Sequence, residues 1–170
     1  MALVNFSIQQ TIKPISPNKA NGFDTISEEV ELVILPKLLG LKMYSDLLAN
    51  PANYTYLING CTFVIDNVTY THRGLKYILA YHNYAKYVKN NHLADTYTGV
   101  VVQNRPETTH VSSAELERIA NEFQEVANTA WSLTKTYLDN NTTTYPLWSC
   151  GNTQVVMPFT IVAMPNNKLR

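Results

Sequence analysis

SSAELERIANEFQEVANTAWSLTKTYLDNN, residues Ser112–Asn141, reads as one long amphipathic helix over about Ser113 to Asp139. Ser112 with Glu115 forms a capping box, in which a hydroxyl serves a free amide of the first turn and a carboxylate sits at the positive end of the helix dipole. Leu116, Ile119, Ala120, Phe123, Ala127, Ala130, Leu133 and Tyr137 recur at steps of three and four and keep to one stripe. No proline or glycine interrupts them, and Asn140-Asn141 ends the run. A helix of this length with one apolar face needs other elements packed on that face. The fold expected around it is mainly α.

The next helical segment upstream contains GLKYILAYHNYAKYV, Gly74–Val88, within a helix of about Arg73 to Asn91. Tyr77, Tyr81, Tyr84 and Val88 form one stripe by 4, 3, 4 spacing, while Leu75, Ile78, Leu79 and Ala85 occupy adjoining faces. This helix is apolar over more than the usual ~100° sector. Either it lies at the centre of the domain or a partner covers part of it, and tyrosine suits both because its ring buries area while its hydroxyl keeps a hydrogen bond. Tyr77, Tyr81 and Tyr84 are therefore candidate interface residues.

Nearer the N-terminus, Thr25 with Glu28 predicts a capped helix from about Ile26, carrying Val30, Val33, Ile34 and Leu38. Pro36, without an amide proton, is expected to kink or break it. A second helical piece follows over Leu41 to Ala49. From Tyr54 to Thr71 the residues become β-branched and aromatic, broken by Asn59-Gly60 and Asp66-Asn67, which predicts a hairpin with arms Thr62–Ile65 and Val68–Thr71. A loop is expected around Asp95 to Gly99, then a short strand over Val100–Val102, and Tyr145-Pro146-Leu147-Trp148 reads as a hydrophobic return over the helices. Residues 1–24 alternate weakly and contain Pro14, Pro17 and Asn21-Gly22, so they read as an extended, non-helical arm. Residues 150–170 hold Val155, Val156, Phe159, Ile161 and Val162 around Pro158 and read as a second extended arm, apolar on both faces; Phe159 and Ile161 join the candidate interface residues. The expected architecture is a bundle of three to four helices, residues 25–149, with a β-hairpin inserted at about 54–71 and an arm at each end. There is no internal repeat and no low-complexity tract.

Thirteen basic residues balance thirteen acidic ones, and charged residues make up 15% of the chain, below the roughly 25% of ordinary soluble domains. Strong electrostatic attraction to nucleic acid or to an anionic membrane has no support in this balance. No secretory signal and no apolar run long enough to span a membrane are found, so a soluble protein with two reduced thiols, Cys61 and Cys150, is expected. His72, His82 and His92 are spaced by ten; on a helix, neighbours in that series stand roughly 80° and about 15 Å apart, too far to share a metal ion. No G-x-S-x-G elbow or phosphate-cradling glycine motif occurs, neither cysteine has a histidine at a motif-defined spacing, and the acid pairs Glu28/Glu29 and Glu115/Glu117 are explained by helix dipoles. No catalytic residue, metal or cofactor is expected. A deep polar pocket with converging ionisable groups would be the sign of the alternative, a small enzyme.

The run ISEEVELVILPKLLGLKMYSDLL, the segment THRGLKYILAYHNYAKYVKNN, DTYTGVVVQN, and AWSLTKTYLDNN followed by TTYPLW resemble, in that order, the head-tail connector proteins of tailed phages. The likeness is greatest to ring or adaptor proteins of crAss-like and other Bacteroidales phages and covers about residues 24 to 150. It rests on packing and turn residues, Gly74-Leu75-Lys76-Tyr77, the alanine and tyrosine pattern through Tyr87, and Thr98-Gly99-Val100. The resemblance implies a non-enzymatic virion protein without cofactor, a helical adaptor forming a homo-oligomeric ring, usually dodecameric, at the phage neck. Its implied partners are further copies of itself, the portal protein above, the next ring or tail protein below, and DNA passing without sequence-specific contact; no membrane is involved. It would assemble in the host cytoplasm. A tail-side ring component such as a tail terminator is the alternative, and it would be richer in β-strand.

Overall fold

The computed structural model describes residues 2–16, 22–90, 93–96, 99–102 and 112–148. Six helices and two antiparallel hairpins follow in the order α1 (Phe6–Ile12), α2 (Phe23–Leu39), α3 (Leu41–Ala49), α4 (Thr55–Asn59), β1 (Cys61–Ile65), β2 (Val68–His72), α5 (Gly74–Asn90), β3 (Leu93–Thr96), β4 (Gly99–Val102) and α6 (Ser113–Asp139). A 3-10 turn over Pro51–Tyr54 joins α3 to α4. The protein is thus mainly helical with a small inserted hairpin.

The long helix begins where its sequence says, with the Ser112 hydroxyl accepting from the Glu115 amide at 3.2 Å. Glu115 does not complete the box; its carboxylate pairs with Arg118, one turn on. The buried face of α6 is Ala120, Ala127, Ala130, Thr134, Tyr137 and Leu138, whereas Leu133, expected in the stripe, is 37% exposed. Small residues dominate the upper part of this face, and they let α5 approach closely. Tyr81 and Tyr84 of α5 meet Phe123 of α6, while His72, just before α5, meets Tyr137. The two helices are therefore antiparallel. Leu75, Ile78, Leu79 and Ala80 of α5 are almost fully buried and share one core with Leu35, Met43, Leu47, Leu57, Leu138 and Trp148. Tyr145 and Trp148 do return over the helices, the Trp148 indole donating to Asp139 at 2.8 Å.

Several expectations are corrected. Residues 1–24 are not a non-helical arm, since Phe6–Ile12 form α1, with the Asn5 side chain accepting from the Ile8 amide. Polar groups pin this segment to the body: the Glu31 carboxylate accepts from the Leu3 amide at 2.6 Å, Ser27 Oγ donates to the Val4 carbonyl at 2.6 Å, and Gln9 Nε2 donates to the Ala80 carbonyl at 3.2 Å. Periodicity of apolar residues is blind to such anchors. The second helix starts at Phe23, before the predicted Thr25–Glu28 box, because Phe23 is buried edge-on against Phe6 and draws the helix back to Gly22. Pro36 does not break α2, which runs on to Leu39. The carbonyl it leaves without an amide is that of Leu32 on the exposed side, and buried Leu35 and Leu39 hold the last turn in place. Tyr54 and Thr55–Asn59 are helical, not extended, with Pro51 opening the turn and Leu57 and Ile58 buried. Leu93–Thr96 pair with Gly99–Val102, so the expected single strand near Val100 belongs to a second hairpin.

The first hairpin turns at Asp66-Asn67, both with positive φ, as the sequence predicted. Its two feet touch. Gly60, before β1, and Gly74, after β2, both have positive φ; a Cβ on Gly60 would stand 2.5 Å from the His72 carbonyl oxygen, and one on Gly74 2.6 Å from that of Ile58. Only glycine allows the strand entry and the start of α5 to meet there.

Candidate functional site

The three α5 tyrosines selected from the sequence are each half-buried. Tyr77 and Tyr81 lie 4.7 Å apart between ring centroids, Tyr84 meets Phe123 edge-on at 4.5 Å, and the Lys13 ammonium caps both Tyr84 and Phe123 at 4.9 and 4.6 Å. These rings are covered in large part from within the subunit, by α6 and by the segment after α1. Phe159 and Ile161 lie outside the described residues.

Uncovered aliphatic side chains are found elsewhere. Leu32 and Val33 of α2 are 66% and 50% exposed, and Leu41 and Leu48 of α3 are 72% and 50% exposed. At the tip of the first hairpin Val64 and Val68 are 64% and 51% exposed. Ile65 pairs with Val68 and Val64 with Thr69, so the two valines point to opposite faces and the tip is open on both. These groups belong to elements with different neighbours: the hairpin packs on α6 through β2, whereas α2 packs on α5 and α3. Sequence periodicity placed Val33 in the apolar set of this helix, and the packing leaves it half exposed.

One cluster of reactive groups forms that sequence spacing did not reveal. The register pairs Cys61 with His72 across the feet of the hairpin, bringing Cys61 Sγ to 3.3 Å from His72 Nε2. His72 is buried, stacked on Tyr137 at 4.4 Å, and its Nδ1 lies 3.5 Å from Thr134 Oγ1. Burial pushes the imidazole below its ordinary pKa, so it is neutral near pH 7. Burial, reinforced by the Tyr145 hydroxyl at 3.3 Å, pushes the Tyr137 hydroxyl well above the usual range. A cavity of about 370 Å³ opens beside Cys61 and His72, with Thr62, Thr71, Arg73 and Lys76 on its wall. The available clue in the sequence was a cysteine and a histidine in mirrored positions about a two-residue turn.

His82 lies apart from this cluster, in a groove with Glu29, Val33, Lys86 and Gln124, and burial pushes its pKa down as well. Among the described residues no three His, Cys, Asp or Glu side chains come together as metal ligands, and no helix is long and apolar enough to cross a membrane. His92 and His110 lie outside the described residues.

The sequence profile that matches this chain spans residues 35–156. The chain belongs to a family of unknown function, DUF6712. No curated protein and no solved structure matches. The span characteristic of DUF6712 opens in the last turn of α2 and takes in the first hairpin, the Cys61–His72 pair and both long helices. Leu32 and Val33, α1, Phe159 and Ile161 lie beyond it.

Proposed function

We propose that this DUF6712 chain is a structural virion subunit that forms a ring below the portal of a tailed phage, joining head to tail and continuing the DNA channel. The observation that carries the reading is the pair of uncovered aliphatic sets, Leu32/Val33/Leu41/Leu48 on α2 and α3 and Val64/Val68 at the hairpin tip. A closed ring is built head to tail, so each subunit needs two different patches, one for each neighbour. The resemblance of residues 24–150 to connector proteins supports the same reading, and the predominance of helix favours an adaptor over a tail terminator. Balanced charge is compatible with a conduit, since tight phosphate contacts would retard DNA through counterion-dependent binding.

Negative-stain electron microscopy of the purified protein, alone and with a portal, tests it together with mass spectrometry of purified particles. Rings in the micrographs and the protein among virion components are expected. A monomer that forms no ring with the portal and is absent from particles would overturn the proposal.

A further inference from the structure

The feet of the hairpin hold a thiol and an imidazole for which the ring has no use. The Thr134 hydroxyl donates to the Ala130 carbonyl at 3.1 Å, so its oxygen is left to accept from His72 Nδ1 at 3.5 Å. That places the ring proton on Nδ1 and turns an unprotonated Nε2 towards the Cys61 thiol 3.3 Å away. Nucleophile, base and a group orienting the base stand in sequence. The adjacent cavity of about 370 Å³ is walled in part by Arg73 and Lys76, and among the described residues no carboxylate lines it. Cys61 is a free cysteine, half-buried, and one of the residues on that wall.

We propose that Cys61 is a thiol-exchange site at which His72 acts as base and the cations at the cavity select small anionic disulfides of the glutathione class. The Cys61 thiol gives its proton to His72 Nε2 as its sulfur attacks one sulfur of the incoming disulfide. The incoming S–S bond breaks, a Cys61 mixed disulfide forms, and the departing thiolate takes the proton from His72 and leaves as the free thiol. Cys61 is oxidised and the departing half is reduced, with the disulfide itself as the oxidant. The groups facing His72 are Cys61 and Phe63 from β1 and Thr134 and Tyr137 from α6, with Tyr145 behind Tyr137 and Arg73 and Lys76 at the cavity. None of these side chains is a carboxylate, and burial keeps the resting imidazole neutral.

The test incubates the full-length folded protein with glutathione disulfide or with the cationic disulfide cystamine and reads Cys61 occupancy by peptide mapping. Wild-type Cys61 is expected to react at least about tenfold faster with glutathione disulfide than with cystamine, and Arg73→Ala with Lys76→Ala should remove that preference. His72→Phe, which keeps a ring on Tyr137, should slow the reaction about tenfold by removing the base that takes the thiol proton. With the base removed, the thiol proton must go to solvent, so its rate should depend more steeply on pH between about pH 6 and 8 than that of the wild type. If His72→Phe fails to fold, Thr134→Val should slow exchange several-fold and Thr134→Ser restore it. An unmodified Cys61 in folded protein, equal rates with the two disulfides, or unchanged rate and pH slope in His72→Phe and Thr134→Val would each overturn the proposal.

Discussion

α2 and α5 have the same length, 17 residues, and both carry apolar side chains on more than one face, yet they end differently. The surplus on α5 is tyrosine, and it is taken up inside the subunit by Phe123 and Lys13. The surplus on α2 is Leu32 and Val33, which stay 66% and 50% exposed. An over-wide apolar helix is thus not an interface in itself. What matters is whether a neighbour in the same chain has side chains of the right reach; the alanines of α6 bring its backbone close enough for Phe123 to meet the tyrosines.

This contrast can be attacked by substitution, and the largest loss is expected at the start of α5. Gly74→Ala forces a Cβ into the Ile58 carbonyl at positive φ, so thermal denaturation should show a loss of at least about 3 kcal/mol. Leu79→Ala, in the core of the same helix, should cost about 2–5 kcal/mol by denaturant titration. Tyr84→Ala should cost about 1–2 kcal/mol, and a double-mutant cycle with Phe123→Ala should show coupling of about 0.5–1.5 kcal/mol. On α2, Leu32→Asp with Val33→Ser should change stability by no more than about 0.5 kcal/mol per site, while ring assembly seen by light scattering is lost. The contrast breaks if Tyr84→Ala leaves stability intact and abolishes assembly, or if the α2 pair unfolds the protein.

A smaller effect follows from pH. His72 and His82 have pKa values lowered by burial, so the unfolded chain binds protons more readily. Their contribution to stability is complete above the ordinary histidine pKa of about 6.5 and is lost as pH falls through the lower folded values. Glu31 works in the opposite direction. Burial raises its pKa against the lowering effect of the Leu3 amide, so its contribution is complete below the ordinary carboxylate range and fades as pH rises through the folded value. The melting temperature of Glu31→Gln should therefore equal or exceed that of wild type at pH 7, and its advantage should vanish at acid pH. A fall in melting temperature at pH 7 would show that the charge on the Leu3 hydrogen bond outweighs desolvation.

Much of the backbone was legible because it depends on local chemistry. The Ser112 cap, the span of α6, the Asp66-Asn67 turn and the extent of α5 each follow from residues close together in the chain. The misreadings share one cause, which is that distant contacts outweighed local preference. Phe6 drew the start of α2 back past its capping box, buried Leu35 and Leu39 kept α2 whole beyond Pro36, and side-chain hydrogen bonds from Ser27, Glu31 and Gln9 tied down a segment that reads as an arm. The reactive pair was illegible for a related reason. Cys61 and His72 are eleven residues apart, a spacing that means nothing until the turn sets the register.

The sequence by itself determined a mainly helical protein, its longest helix and the hairpin turn, since helix caps, 3.6-residue periodicity and positive-φ turn residues act within a few residues. Only the tertiary structure decided which apolar surplus is consumed internally and which stays open, and that a thiol faces a neutral imidazole. Burial and proximity are properties of pairs of distant elements, and no single stretch of chain contains both partners.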